Sequence, residues 1–275
     1  MLLPEPETAA GRAGLAGLLA DPARALVAVD FDGTLAPIVE RPDDARAAPG
    51  AVAALRSLAD RVGTVAVVTG RPAEAAVDLG GLADVPRLLV LGHYGLERWH
   101  DGTLDTPEPY AAVAAARDRL ADVLAGAPDG VHVEDKNHSL VVHTRPAADP
   151  AGALATLTPP LEALAAELGL EAVPGRLVLE LRPPGVDKGA ALRDVAVDRG
   201  ARCIVYIGDD LGDLPAFAAV EGLRGGGATG LTVASVDPAL DDAPRELAER
   251  ADLVLAGPAA VVDFLAGLAG ATGEP

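Results

Sequence analysis

Ala25-Leu26-Val27-Ala28-Val29-Asp30-Phe31-Asp32-Gly33-Thr34-Leu35 is the stretch on which the reading of the fold turns. Ala25 to Val29 is apolar without a break, and the run stops at an acid. Such a run suits a parallel strand buried on both faces, because a strand with one wet face would alternate. In open α/β sheets, ligands bind beyond the carboxyl ends of the strands. Asp30 and Asp32 stand there, two residues apart, and their mutual repulsion calls for a cation. An acidic turn after a strand is common. A DxDGT string placed directly after a buried run is much rarer.

The pattern repeats outward from this point. Residues 8–20 and Pro49 to Val62 read as helices, Thr64 to Val68 as a second strand, Pro72 to Leu79 as a helix and Arg87 to Leu91 as a third strand. This alternation predicts an α/β domain with a parallel sheet. The rhythm then changes. A helix over 109–126 precedes a strand pair, His132 to Lys136 and Ser139 to Arg145, and a helix over 149–169 precedes another, Glu171 to Val173 and Arg176 to Arg182. Pro183-Pro184-Gly185 closes that segment. The α/β pattern returns with a helix at Lys188 to Arg199, a strand at Arg202 to Ile207, a helix at Leu211 to Val220, strands at Leu231 to Ala234 and Asp252 to Leu255, and a helix at Pro258 to Leu268. The expected organisation is a core domain of residues 1–104 and 186–275, with an inserted α+β cap domain, residues 105–185, built on an antiparallel sheet.

Composition narrows the function. The net charge of -19 over 275 residues disfavours nucleic acid and anionic membranes as partners. No apolar run approaches the ~20 residues that span a bilayer. Met1 to Ala9 holds two glutamates and no cation, which is unlike a secretory signal. The single cysteine, Cys203, lies in an apolar run, reads as a core residue and excludes an internal disulfide. The expectation is a cytoplasmic monomer. Of 22 basic residues only Lys136 and Lys188 are lysine. Lysine offers a compact point charge that a planar guanidinium does not imitate.

Three further segments fall at equivalent positions. Thr69-Gly70-Arg71 ends the second strand and offers a hydroxyl and backbone N–H groups. Asp187-Lys188-Gly189 opens a helix, with Asp187 suited to an N-cap. Gly208-Asp209-Asp210-Leu211-Gly212-Asp213 follows another apolar strand and adds acids for a metal. Each alone is weak. Four in this order, three of them at strand ends, form a specific signal. The set resembles the four motifs of the haloacid dehalogenase superfamily of phosphohydrolases, whose Rossmann-like core it implies. By that resemblance Asp30 attacks phosphorus, Asp32 acts as general acid and base, Thr69 and Lys188 hold the phosphoryl group, and Mg²⁺ is held by Asp30, the carbonyl of Asp32 and Asp209, with Asp213 a further or water-mediated ligand. An all-oxygen carboxylate cluster suits a hard cation.

The inserted segment carries its own strings. Glu134-Asp135-Lys136-Asn137-His138-Ser139-Leu140 through Arg145, Gly175-Arg176 through Glu180-Leu181-Arg182-Pro183, and Gly92-His93-Tyr94-Gly95-Leu96-Glu97 look like those of trehalose-6-phosphate phosphatases. The likeness runs from about Leu26 to Phe264. It implies that Glu134, Lys136, Arg145, Arg176 and Glu180 bind the sugar, with Gly70, Arg71 and His93 also on the substrate side and His93 and Glu97 open to a structural role. Alternation places Arg176, Val178, Glu180 and Arg182 on one strand face and Leu177, Leu179 and Leu181 on the other. The charged face meets solvent or a cleft. One departure is Leu214, where the family usually has an acid. His100, His138 and His143 read as polar surface residues, and Gly225-Gly226-Gly227 as a flexible turn. The expected partner is a small sugar phosphate. The alternatives are another sugar phosphate (sucrose phosphate, glucosyl- or mannosyl-phosphoglycerate, a hexose phosphate) or an inactive sugar-phosphate sensor.

Overall fold

All five residues of Ala25–Val29 are buried, and their side chains alternate between two separate cores. The structure, a computed structural model, describes residues 3–238 and 245–273. Within them the order is α1 (Ala9–Ala20), β1 (Ala25–Val29), α2 (Ala51–Ala59), β2 (Thr64–Val68), α3 (Ala73–Gly80), β3 (Leu89–Gly92), β4 (Glu97–His100), β5 (Thr103–Asp105), α4 (Ala111–Val123), β6 (His132–Asp135), β7 (Leu140–His143), α5 (Pro150–Leu168), β8 (Glu171–Gly175) and β9 (Val178–Arg182). It continues with α6 (Lys188–Asp198), β10 (Cys203–Gly208), α7 (Leu214–Gly225), β11 (Thr229–Ser235), α8 (Arg245–Arg250), β12 (Leu253–Leu255) and α9 (Gly257–Ala271). The chain divides into two compact units, Met1–Thr106 with Asp187–Pro275, and Pro107–Val186.

The first unit is built on an eight-stranded sheet in the order β12-β11-β10-β1-β2-β3-β4-β5. The strands from β12 to β3 pair in parallel. Ala25, Val27 and Val29 face a core shared with Leu55 and Leu58 of α2 and with Val261, Leu265 and Leu268 of α9. Leu26 and Ala28 face the opposite core, with Leu192 and Val195 of α6 and Phe217 and Val220 of α7. Each face of the sheet is therefore covered by helices, which is why these strands read as continuous apolar runs rather than alternating ones. Cys203 is buried in the first of these cores, where burial also pushes its thiol pKa up.

The sheet departs from the expected parallel one at an edge. β3–β4 and β4–β5 are antiparallel, and neither β4 nor β5 is anticipated by the alternation. Both are short and carry charge. The signal available was Asp101-Gly102, whose φ values of 48° and 79° form the tight turn between His100 and Thr103. An Asp-Gly pair is favoured there because both central residues need positive φ.

The second unit is a four-stranded antiparallel sheet, β6-β7-β9-β8, packed on α4 and α5. Leu140, Val142, Leu179 and Leu181 bury against Val113, Ala116 and Leu120 of α4 and Leu157, Leu161 and Leu164 of α5. Arg176 and Leu177 do not continue the alternation of β9. They form the turn between β8 and β9, with Leu177 at φ 60°. The leucine face therefore begins at Leu179.

Candidate active site

From β1 the chain runs through β2 and β3 to one side of the sheet, and β10, β11 and β12 lie on the other. Strand order reverses beside β1, and such a switch point leaves a crevice at the carboxyl ends of the strands. Asp30 stands at the end of β1, its N–H donating to Ile207 of β10 at 2.9 Å. Asp209 follows β10 directly. The turn carrying Asp32 folds back on itself, and Ser235 at the end of β11 donates its hydroxyl to the Gly33 carbonyl at 2.8 Å. Gly33 has φ 74°, and a Cβ there would fall 1.9 Å from Asp209 Oδ2. Only glycine lets the two loops approach this closely.

The structure brings Asp30, Lys188, Asp209 and Asp213 together. Lys188, at the start of α6, is buried, with Nζ 2.9 Å from Asp30 Oδ1 and 2.7 Å from Asp213 Oδ1. Asp187 caps this helix by accepting from the Ala190 N–H at 2.7 Å, which fixes where Lys188 begins. Oxygens of Asp30, Asp209 and Asp213 lie within 4.8 Å of one another. Asp210 adds a fourth carboxylate, and its side chain accepts from Gly212 N–H in a capping box with Asp213. Thr34 donates to Asp209 at 3.3 Å.

One ammonium thus faces four carboxylates. Burial is the main cause that pushes Asp30 well above the usual carboxylate range. Lys188 pulls it back, while Asp213, Asp209 and Asp210 push it further up. Asp209 is pushed up to about 8 by burial and by Asp213 and Asp210. Burial pulls Lys188 down, but Asp213 and Asp30 outweigh it and hold the ammonium well above its ordinary value. A cluster short of positive charge, with oxygen donors only, fits a hard divalent cation.

Asp32 is placed differently. Arg71 grips it through two bonds, Nε to Oδ2 at 2.7 Å and a terminal nitrogen to Oδ1 at 2.6 Å. The guanidinium lies 5.7 Å from the Phe31 ring centre. Thr69 is buried, and its hydroxyl accepts from the Arg71 N–H at 3.1 Å. Gly70 lies against the Tyr94 ring. His93 is also buried, with Nε2 3.6 Å from Glu97 Oε1, and Glu97 accepts from the Ala73 N–H at 2.7 Å. This arrangement ties the loop after β3 to the start of α3. His93 and Tyr94 hold positive φ values of 46° and 58°, uncommon for non-glycine residues.

In the second unit, cross-strand register puts Glu134, Val141, Glu180 and Val173 in one row, and His132, His143, Val178 and Gly175 in the next. These lie on the sheet face away from the helices. Ser139 donates to the buried Glu180 at 2.6 Å. His143 Nε2 lies 2.9 Å from Glu134, and its ring stacks on His132 with centroids 4.8 Å apart. His143 is therefore part of the polar row rather than an isolated surface residue, and His138 is buried. Lys136 is half-buried beside Asn137, and Arg145 and Arg176 are exposed.

Three contributors escape sequence reasoning. Ser235 gives no local signal. The Arg71–Asp32 clasp joins two motifs 39 positions apart. Tyr206, in the middle of β10, is fully buried and donates to Asp213 Oδ1 at 2.6 Å. Burial and Asp213 push its phenol well above the ordinary value, so it remains a donor. A tyrosine inside a buried run is the available clue, because its hydroxyl must find a partner.

Carboxylates and a lysine at the switch point of a parallel sheet, with a second antiparallel unit inserted, define the class. Its fold is shared by a haloacid dehalogenase-like hydrolase from Bacteroides thetaiotaomicron, which superposes with a TM-score of 0.63 over 88% of this chain and 98% of its own, at 14% identity. The trehalose-phosphatase family model matches residues 28–239, and the chain belongs to that family. Trehalose-phosphate phosphatase of Mycobacterium avium is 39% identical over 205 residues, covering 70% of this chain and 50% of the relative. That of Mycobacterium marinum is 39% identical over 209 residues, covering 72% and 52%. The chain thus spans about half the length of these curated relatives. The C-terminal domain of a C. albicans trehalose-6-phosphate phosphatase shares the fold, with a TM-score of 0.75 over 98% of this chain and 99% of that one at 20% identity.

Proposed function

We propose that this protein hydrolyses trehalose 6-phosphate to trehalose and phosphate in the cytoplasm, as a monomer, through an aspartyl-phosphate. The observation that carries this reading is the buried cluster of carboxylates around Lys188 at the strand ends, in a chain of the trehalose-phosphatase family. Residues 1–104 and 186–275 act as the catalytic core, and residues 105–185 as the cap that reads the sugar.

Asp30, Asp209 and the main-chain carbonyl of Asp32 would hold Mg²⁺; the family resemblance would add Asp213 as a further or water-mediated ligand, a role its own hydrogen bonds argue against below. When bound, the ion offsets negative charge on the phosphoryl oxygens. Phosphoryl transfer needs positioning and charge neutralisation above all. A carboxylate oxygen of Asp30 bonds to phosphorus as the ester P–O bond breaks, and Asp32 gives a proton to the leaving sugar oxygen. Asp32 then takes a proton from water, whose oxygen attacks phosphorus and frees Asp30. Lys188 spends two of its three N–H donors on Asp30 and Asp213, leaving one for a phosphoryl oxygen beside Thr69. The planar fork of Arg71 matches a phosphoryl group as well as it matches Asp32. In the cap, Glu134 and Glu180 on the sheet and Lys136, Arg145 and Arg176 beyond its strand ends supply the mixed charges that hydrogen-bond a polyhydroxylated disaccharide.

The test is phosphate release with Mg²⁺ from trehalose 6-phosphate, sucrose 6-phosphate, glucose 6-phosphate and glucosyl-3-phosphoglycerate, with a chelator control. A strong, chelator-sensitive preference for trehalose 6-phosphate is expected. Preference for another ester keeps the chemistry and overturns the sugar assignment. Binding without turnover of any ester indicates a sensor.

A further inference from the structure

Asp213 is fully buried, and all of its hydrogen-bonding capacity is engaged by protein donors. Oδ1 accepts from Lys188 Nζ at 2.7 Å and from the Tyr206 hydroxyl at 2.6 Å. Oδ2 accepts from the N–H groups of Asp209 at 2.9 Å and Asp210 at 3.1 Å. A carboxylate offers about four lone-pair sites, so a metal could bind Asp213 only by displacing one of these donors. Distance alone admits Asp213 to the metal cluster, since it lies within reach of Asp30 and Asp209. The hydrogen bonds assign it elsewhere. Gly208 supports this assignment, because a Cβ there would fall 2.3 Å from Asp213 Cγ. The carboxylate is packed against the strand end, beneath the loop that carries Asp209.

We infer that Asp213 is the anchor of Lys188 rather than a metal ligand, and that Tyr206 is the positioning residue that orients this anchor. The inference rests on the phosphatase reading above for its kinetic consequence, but not for its binding consequence. The Tyr206 ring packs edge-on against Phe217 of α7, with centroids 6.3 Å apart at 80°. The ring is thus held independently of the hydroxyl. Removing the hydroxyl leaves that packing and takes one donor from Asp213, so the carboxylate can turn away from Lys188. Lys188 then loses its fixed place beside Asp30. The backbone donors of Asp209 and Asp210 remain on Oδ2, so the metal-holding loop keeps its shape.

The experiment compares Tyr206→Phe, Asp213→Asn and Asp209→Asn in the full chain. Each variant is first checked for the wild-type circular dichroism spectrum. Mg²⁺ affinity is measured by calorimetry, orthovanadate affinity in saturating Mg²⁺, and kcat and KM for trehalose 6-phosphate and p-nitrophenyl phosphate. Tyr206→Phe is expected to lower kcat and weaken orthovanadate by about tenfold, the worth of one hydrogen bond to a buried charge, with KM for the sugar ester and Mg²⁺ affinity unchanged. Asp213→Asn should do the same more strongly, whereas Asp209→Asn should weaken Mg²⁺ itself. A loss of Mg²⁺ affinity in Asp213→Asn comparable to that in Asp209→Asn would make Asp213 a ligand and overturn the inference. Unchanged orthovanadate binding and kcat in Tyr206→Phe would remove Tyr206 from the positioning role. If wild-type protein releases phosphate from no ester, the phosphatase reading falls, while the two affinities still decide the question.

Discussion

The acids of the first unit are crowded, and those on the second unit's sheet are spread out and separately paired. Around Lys188, four carboxylates compete for one ammonium, and Asp30 and Asp209 are both driven upward by burial first and then by Asp213 and Asp210. On the sheet of β6 to β9, Glu134 meets His143, Glu180 meets Ser139 and Asp135 meets Arg117. Charge without compensation is costly in a buried place. The first arrangement is therefore strained unless a cation joins it, whereas the second is satisfied as it stands. In the proposed function, chemistry falls to the first and recognition to the second. A reacting centre gains from groups poised by their surroundings, while a sugar-reading surface gains from polar groups that can exchange one partner for a hydroxyl.

The largest effect should come from removing the nucleophile. Asp30→Asn is expected to lower phosphate release on the order of 10⁴-fold or more, as measured by phosphate detection. Full retention of activity would end the aspartyl-phosphate mechanism and with it the contrast between the units.

Glu180→Ala and Arg145→Ala should raise KM for trehalose 6-phosphate by about ten- to a hundredfold, with kcat/KM for p-nitrophenyl phosphate little changed. Equal effects on both esters would show that these side chains serve the fold.

A third test addresses the charge imbalance itself. Asp209 is raised to about 8, so between the ordinary carboxylate range and pH 8 the folded protein binds a proton that the unfolded chain releases. Stability of the metal-free protein should then fall as pH rises through that window. Melting in the presence of a chelator should move to higher temperature as pH is lowered from 8 to 5, until other groups titrate. Saturating Mg²⁺ should raise the melting temperature at pH 8 and flatten this dependence. A flat profile without metal would mean that the cluster is already balanced.

The smallest effect should come from Arg117→Ala. The pair with Asp135 is largely exposed, though bidentate. Its loss should cost no more than about 1 kcal/mol in denaturant unfolding, with KM unchanged. A raised KM would mean that the pair aligns β6 and its Glu134, and would blur the contrast between satisfied and strained regions.

The sequence by itself determined the fold class and the identity of the acids at the strand ends. Burial on both faces forces an unbroken apolar run, as in Ala25–Val29 and in the start of β10, and the residues after such runs must lie at the sheet's carboxyl edge. Those are local rules, readable within a dozen residues. The β4–β5 hairpin was also written locally, in Asp101-Gly102, but its strands are too short for alternation to show. Arg176 and Leu177 mark the opposite failure, where alternation continues in the sequence while the backbone turns. Tertiary structure alone decided the partners. Arg71 closes on Asp32, Ser235 reaches Gly33 across 202 positions, and Lys188 is shared by Asp30 and Asp213. Side chains distant in the chain meet only because parallel crossovers return every strand end to one edge. Burial there, which no single segment encodes, sets the charge balance of the cluster.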